Sequence, residues 1–272
     1  MANPVTNVSK LKIDDNINLC LTKNFVDNPK AAVIIVHGLC EHAGRYDYVV
    51  SRLNDFGYSV YRFDNRGHGL SDGARGHIED YNIFINDTDK IVEVAKSEQS
   101  GIPLFTLGHS MGGFITAFYG MKYPGIFAGQ IFCGAALTLN PSIKSFDYNA
   151  MPIVSIPNTF AKLICRDPQV VKAFKQDTLV LKEFTAKLYG EVRIKGARHL
   201  MDSVKAYKYP CLILHGGGDL MVDPNSSRYF YGNISSTDKQ LKIYDGLYHE
   251  ILNEPEKDTV IEDINFWIKA RI

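Results

Sequence analysis

The chain has 272 residues, in which 30 basic side chains balance 30 acidic ones. This balance gives no net field that would attract nucleic acid or an anionic membrane surface. Apolar residues make up 45% and charged residues 22% of the chain, as in an ordinary globular protein. No apolar run approaches the roughly eighteen residues that a membrane span requires, and the polar stretch 1–15 shows no secretory signal.

Strand and helix signals alternate along most of the chain. Residues 8–26 predict two short strands around a turn. Further strands are predicted at 31–36, 58–63, 130–133, 211–214 and 240–244, and one more in the apolar run that ends at the serine frame 108–112. Helices are predicted at 46–56, 84–97, 114–121 and 260–268. This alternation is typical of an α/β fold with a mostly parallel central sheet and helices on both faces.

The regular pattern breaks between residues 141 and 208, where prolines and short apolar patches replace parallel strands. We interpret this stretch as an inserted, mainly helical cap (lid) on a core formed by residues 1–140 and 209–272. Apolar side chains near its start, among them Ile156 and Phe160, would line an acyl-chain tunnel, touch lipid aggregates or pack the cap onto the core.

The five cysteines are odd in number and scattered, without a C-x-x-C pair. This argues against a disulfide framework or a zinc site, and the histidines show no metal-ligand spacing on one helix. We therefore expect no metal or other cofactor, and a reducing cytoplasm as the simplest compartment.

The serine at position 110 stands in a G-x-S-x-G frame between a predicted strand and a predicted helix. Gly108 and Gly112 lack the Cβ atoms that would clash in so sharp a turn. This pattern predicts the nucleophile elbow of α/β-hydrolases, in which the serine oxygen is held clear of the sheet. The alternative is a glycine-rich loop with an ordinary serine.

A serine hydroxyl needs an adjacent base, and the base needs an orienting carboxylate. In a parallel sheet, such groups gather beyond the carboxyl ends of the strands. Asp219 follows the predicted strand 211–214, and His249 follows the predicted strand 240–244. The order Ser, Asp, His therefore predicts a catalytic triad of Ser110, Asp219 and His249.

Other residues compete for these roles. Asp219 could be a turn aspartate, and His249 a surface histidine. Asp223 lies farther from the strand end, and we expect it to cap the next helix. His37 and His109 are rival bases, although His109 adjoins the serine and is interpreted as support for the turn.

The tetrahedral intermediate of acyl transfer needs two hydrogen-bond donors for its oxyanion. We expect these to be the backbone amides of Met111, directly after the serine, and of Leu39, in the loop after an apolar strand. Glu41 and His42 follow in the same loop and could contact a polar substrate head group or form a structural ion pair. The polar loop 64–71 is interpreted as a structural turn.

The stretch HGLCEHAGRY at 37–46 resembles the H-G-x-x-E-H-x-x-R-Y signature of the monoacylglycerol lipase family. Loop 64–71, the elbow, Asp219 and His249 fall in matching places, and the similarity runs nearly end to end. The resemblance implies the triad and oxyanion amides named above, and it places Glu41 near the glycerol end of the substrate.

Two positions depart from the mammalian monoglyceride enzymes. Leu252 stands where they have a second histidine that frames the head group, and Val222 where they have a cysteine. The chain is therefore similar to a bacterial-type branch, and the resemblance implies acyl-ester hydrolysis without fixing the substrate.

We therefore predict an α/β-hydrolase that cleaves carboxylic acyl esters, foremost monoacylglycerols or related lipid esters, through an acyl-enzyme intermediate. The alternatives are a lysophospholipase or broad-specificity carboxylesterase, a serine peptidase or amidase, and a non-catalytic ligand-binding protein. A dehalogenase is disfavoured because that chemistry needs an aspartate at the elbow. The expected partner is a small lipid or aryl ester, with no nucleic acid and with transient contact of the cap with membranes.

Overall fold

The computed structural model describes residues 5–139 and 147–272, so that residues 141–146 of the predicted cap lie outside the described residues. An eight-stranded sheet forms the centre of the described part. Its strands are β1 (Val5–Lys12), β2 (Asn18–Phe25), β3 (Ala31–Val36), β4 (Tyr58–Phe63), β5 (Leu104–His109), β6 (Gly129–Cys133), β9 (Cys211–Gly216) and β10 (Lys239–Tyr244).

The strands lie in the order β1-β2-β4-β3-β5-β6-β9-β10. The pairs β1·β2 and β2·β4 are antiparallel, and all remaining neighbours are parallel. The mostly parallel sheet predicted from the sequence is thereby confirmed. Because parallel strands end at the same edge, the loops after β3, β5, β9 and β10 come together.

Helices cover both faces of this sheet. They are α1 (Asp47–Asp55), α2 (Asn82–Glu98), α3 (Met111–Lys122), α7 (Asn225–Asn233) and α8 (Lys257–Lys269). Strand β3 shows why two layers are needed, since its alternate side chains enter different cores. Ile34 packs in the core beneath α2, α3 and α7, whereas Ile35 packs in the core beneath α1 and α8.

The described residues between β6 and β9 add no strand to the central sheet. They form a short antiparallel pair, β7 (Ser155–Pro157) and β8 (Glu183–Thr185), and the helices α4 (Pro168–Gln176), α5 (Ala186–Gly190) and α6 (Ala197–Ser203). The β7·β8 pair was not predicted, because strands of three residues show no periodicity.

Within the described ranges, no helix has both the length and the apolar character needed to cross a bilayer.

Candidate active site

The turn between β5 and α3 has the strained backbone that the G-x-S-x-G frame predicts. Ser110 has φ 52° and ψ −116°, a conformation that L-residues rarely adopt. A Cβ at Gly112 would collide with the Val36 carbonyl, and one at Gly108 would lie 2.5 Å from the Thr116 hydroxyl. The two glycines therefore let α3 lie close against β3 and β5, and they hold the serine at the sheet edge.

The side chains of Ser110, His249 and Asp219 form one hydrogen-bonded chain. His249 Nδ1 donates to Asp219 Oδ2 at 2.7 Å, and the Ser110 hydroxyl donates to His249 Nε2 at 2.9 Å. These residues follow β5, β9 and β10, so the sheet topology brings together positions that are up to 139 residues apart. In this tautomer, His249 Nε2 is free to accept the serine proton.

The Asp219 carboxylate is held by four donors. The amides of Met221 and Val222 donate to Oδ1 at 2.8 and 3.0 Å. On Oδ2, His215 Nε2 lies 3.1 Å away beside the bond from His249. His215 was not predicted, because it lies within an apolar strand and has no spacing signal of its own.

These contacts shift the pKa values of both groups in the directions that catalysis needs. Burial would raise the pKa of Asp219, but the facing His249 and the hydrogen bonds from His215 and His249 hold it well below its usual range. Burial would lower the pKa of His249, but the charge and hydrogen bond of Asp219 raise it above its ordinary value. Asp219 is therefore ionised and can stabilise an imidazolium.

The residues Met111 and Leu39, whose backbone amides are the expected oxyanion donors, both lie beside Ser110. Met111 is the first residue of α3, where amides lack an intrahelical acceptor. No acceptor among the described residues binds the Leu39 amide. A Cβ at Gly38 would lie 3.0 Å from the Ser110 Cβ, so glycine allows the loop to approach the serine closely.

A buried ion-pair network flanks this loop. Glu41 accepts hydrogen bonds from the Gly38 amide at 2.5 Å, the Tyr46 hydroxyl at 2.8 Å and Arg45 at 3.2 Å. Arg45 also binds Glu250 through two hydrogen bonds of 2.5 and 2.7 Å. Burial would raise the pKa of Glu41, but its charged and polar neighbours lower it to about 2. Glu41 therefore forms the predicted ion pair and also lines the cavity beside Ser110.

His42 and Ile156, both predicted substrate contacts, do not line this cavity. His42 Nε2 donates to Asp177 Oδ2 at 2.8 Å, which ties its loop to the segment after α4. Ile156 packs into the neighbouring apolar cores instead. The position of His42 in the sequence could not show this contact, because the direction of its ring depends on how the loop folds against the distant Asp177. Phe160, the third of the expected substrate contacts, does line the cavity.

The cavity above Ser110 has a volume of about 220 Å³. Leu39, Met111, Ser110 and His249 form part of its wall. Much of the remainder is apolar and comes from the inserted segment, through Phe160, Leu163, Ile164, Phe174, Leu188 and Val192. One cation, Arg193, lies in the same wall and was not singled out from the sequence.

The competing residues have structural partners. Asp223 accepts a hydrogen bond at 2.8 Å from the amide of Asn225, the first residue of α7, although Pro224 is the N-cap of that helix. His109 Nδ1 donates to the Cys133 carbonyl at 2.9 Å and supports the elbow. In loop 64–71, Arg66 binds Asp87 and therefore does not face the cavity.

No three His, Cys, Asp or Glu side chains in residues 5–139 and 147–272 are grouped as metal ligands would be.

The chain is similar to known lipid ester hydrolases over most of its length. The family model described as serine aminopeptidase, S33, matches residues 27–256. A monoacylglycerol lipase of Mycolicibacterium smegmatis is 33% identical, with 90% of each chain covered. The monoglyceride lipase of Homo sapiens is 30% identical, over 89% of this chain and 84% of that one.

A solved structure gives the same result. The monoacylglycerol lipase of Paleococcus ferrophilus has a TM-score of 0.83 and 31% identity, with 93% of this chain and 99% of that chain covered. The predicted fold class and the predicted resemblance are both confirmed. The chain belongs to the monoacylglycerol lipase-like family of α/β-hydrolases and is a carboxylic ester hydrolase.

Proposed function

We propose that the protein hydrolyses monoacylglycerols and related lipid esters, with Ser110 as nucleophile, His249 as general base and Asp219 as the orienting carboxylate. The observation that carries this proposal is the continuous hydrogen-bonded chain from Ser110 through His249 to Asp219 at the floor of an apolar cavity. An apolar cavity with a few convergent polar groups is the usual form of a small-molecule site, and its apolar wall suits an acyl chain.

In the proposed reaction, the Ser110 oxygen attacks the ester carbonyl carbon while its proton passes to His249 Nε2. The imidazolium then gives this proton to the leaving alcohol, and an acyl-enzyme remains. Water, deprotonated by His249, attacks the acyl carbon, and the fatty acid leaves as Ser110 regains its proton. Asp219 stays ionised throughout and holds the ring in the required tautomer.

The amides of Leu39 and Met111 are the proposed donors to the oxyanion. Two observations support this proposal. Both residues border the cavity beside Ser110, and the Met111 amide belongs to the first residue of α3 while the Leu39 amide lies in the loop after β3. Preorganised donors of this kind act on the charge that develops in the transition state and need no reorganisation. Glu41, which already holds the Gly38 amide, would fix the shape of this loop and border the alcohol side of the substrate.

We propose that residues 141–208 form a cap over the acyl chain. In support, the described part of this segment contributes Phe160, Leu163 and Leu188 to the cavity wall. It is tied to the core by the His42–Asp177 contact and by the hydrogen bond from the Leu181 amide to the Cys40 carbonyl, 2.9 Å long.

The cap is also the proposed contact with lipid aggregates or membranes. Met151, Ile153 and Val154 are 47, 81 and 48% exposed, so apolar surface faces solvent at its edge. A reducing cytoplasm is the proposed compartment, because all five cysteines are unpaired, buried thiols.

The test is a hydrolysis panel with purified protein. It should compare monoacylglycerols, lysophospholipids, aryl esters and aminoacyl amides, with Ser110→Ala as the matched control. We expect esters to be turned over and the control to lose about three or more orders of magnitude in kcat while keeping its circular dichroism spectrum. Faster cleavage of aminoacyl amides than of any ester would favour a peptidase instead.

A further inference from the structure

The cap presents a helix with an unusual turn to the active-site cavity. Residues 186–203 run through α5, a π-helical turn at Glu191–Gly196, and α6. π-Helical turns are rare and occur frequently at functional sites. A Cβ at Gly190 would collide with the Tyr148 ring, and one at Gly196 with the Phe114 ring. The backbone of this helix therefore packs directly against aromatic rings on both sides of the turn.

Arg193 lies within this turn, and its side chain lines the same cavity as Ser110. Its Nη1 is shielded from solvent and has no hydrogen-bond partner. Burial lowers the pKa of Arg193, and the Tyr189 side chain, which hydrogen-bonds to it, and the Asp219 charge offset that effect only in part. A guanidinium nevertheless stays protonated in proteins, so the cavity wall carries this positive charge beside the Glu41 and Glu250 carboxylates, which are paired with Arg45.

Arg45, a cation outside the cavity lining, is an example of a guanidinium with ion-pair partners. It binds two carboxylates, Glu41 and Glu250, at 2.5 to 3.2 Å. Arg193 makes no such ion pair with any residue in 5–139 or 147–272. Because an unpaired buried charge is costly, a leucine would pack against an acyl chain better than an arginine does. An anionic group on a ligand would supply the ion-pair partner that Arg193 lacks.

We propose that Arg193 forms an anion subsite of the catalytic cavity, which takes esters that carry a carboxylate or a phosphate besides the ester bond. This inference rests on the proposed function, because it assigns a substrate class to the same site. The guanidinium would bind two oxygens of the anion through parallel N–H donors, which gives both charge and geometric selectivity. A neutral acylglycerol would leave the subsite unpaired.

The anion could lie in the alcohol part of the ester or at the far end of the acyl chain. Two matched substrate pairs distinguish these sources. In the first, 1-oleoylglycerol is compared with 1-oleoylglycerol 3-phosphate, which adds a phosphate to the same alcohol. In the second, p-nitrophenyl octanoate is compared with the mono-p-nitrophenyl ester of octanedioic acid, which adds a carboxylate at the chain end.

The variants are Arg193→Leu and Arg193→Lys, with Arg198→Leu as control. Arg198 lies in α6, five residues farther along the same segment, but is exposed and does not line the cavity. For at least one pair, we expect Arg193→Leu to lower the anionic-to-neutral ratio of kcat/KM by about 10- to 100-fold, chiefly through KM. Arg193→Lys should keep part of the ratio, because it retains the charge without the planar fork.

Labelling by a neutral fluorophosphonate probe at the wild-type rate would verify that each variant is folded with a working nucleophile. Ratios that stay unchanged in both pairs, or that move equally in Arg198→Leu, would overturn the anion subsite. If the wild-type protein did not hydrolyse the neutral esters at all, the proposed function itself would be refuted. If Arg193→Leu fails to fold, the ratio measured with Arg193→Lys and a further Arg193→Gln variant decides the question in the same way.

Discussion

The Asp219→Asn substitution tests how the carboxylate controls its histidine. Oδ1 accepts from two backbone amides, at 2.8 and 3.0 Å, so the amide oxygen of asparagine should take this position. The new NH₂ group then faces His249 Nδ1 at 2.7 Å and His215 Nε2 at 3.1 Å, where both ring nitrogens donate in the native protein. To accept from the amide, His249 must move its proton to Nε2.

That proton would face the Ser110 hydroxyl, which lies 2.9 Å from Nε2. The ring could then no longer accept the serine proton, and the negative charge that stabilises the imidazolium would also be lost. We expect kcat to fall by about 10⁴, or roughly 5.5 kcal/mol in the activation barrier, with little change in KM.

The assay is steady-state hydrolysis of p-nitrophenyl octanoate, with Asp223→Asn as the matched control. Asp223 is exposed and accepts a hydrogen bond from the first amide of α7. Asparagine can accept this bond equally well, so kcat of the control should stay within about twofold of wild type. If kcat of Asp219→Asn fell by less than about tenfold, Asp219 would not control the position of the His249 proton as described. An equal fall in kcat of the control would refute the explanation as well.

Two further predictions concern pH and acyl length. Asp219 raises the pKa of His249, and a protonated His249 cannot act as the base. The value of kcat/KM should therefore fall with decreasing pH, with a midpoint above the ordinary histidine pKa of 6.5. A midpoint below 6.5 would contradict this assignment. Burial of each acyl methylene contributes about 0.8 kcal/mol, so kcat/KM should rise from acetyl to octanoyl p-nitrophenyl esters. Leu163→Trp, which fills part of the cavity, should shift this optimum to shorter chains, and a wild-type preference for acetyl would exclude an acyl tunnel.

Local backbone geometry and strand-end position made much of the site predictable. The elbow could be read from glycine spacing, because a Cβ at Gly112 has no room beside β3. The positions of Asp219 and His249 followed from their place after predicted parallel strands, since such strands end at one edge. Asp223 could be separated from Asp219 by its distance from the strand end, and it hydrogen-bonds to the first amide of α7 and not to a histidine.

Contacts made by the inserted segment were less predictable. His42 was expected near the substrate but binds Asp177, a residue 135 positions away in the chain. Arg193 stands in a stretch with several other basic residues, and no spacing marks it as the one that faces the cavity. The π-helical turn and the packing against Tyr148 and Phe114 determine which side of the helix at 186–203 is buried. The sequence carries no signal for the turn or for this packing.

The most direct test of the account is the site of the covalent intermediate. Wild-type protein would be mixed with a slowly deacylated aryl ester, quenched in acid within the first turnover, and analysed by intact-mass and peptide mass spectrometry. We predict one acyl group per chain on the peptide that contains Ser110, and none in Ser110→Ala. Turnover without an adduct on that peptide, or an adduct on another residue that persists in the Ser110→Ala variant, would contradict the proposed mechanism.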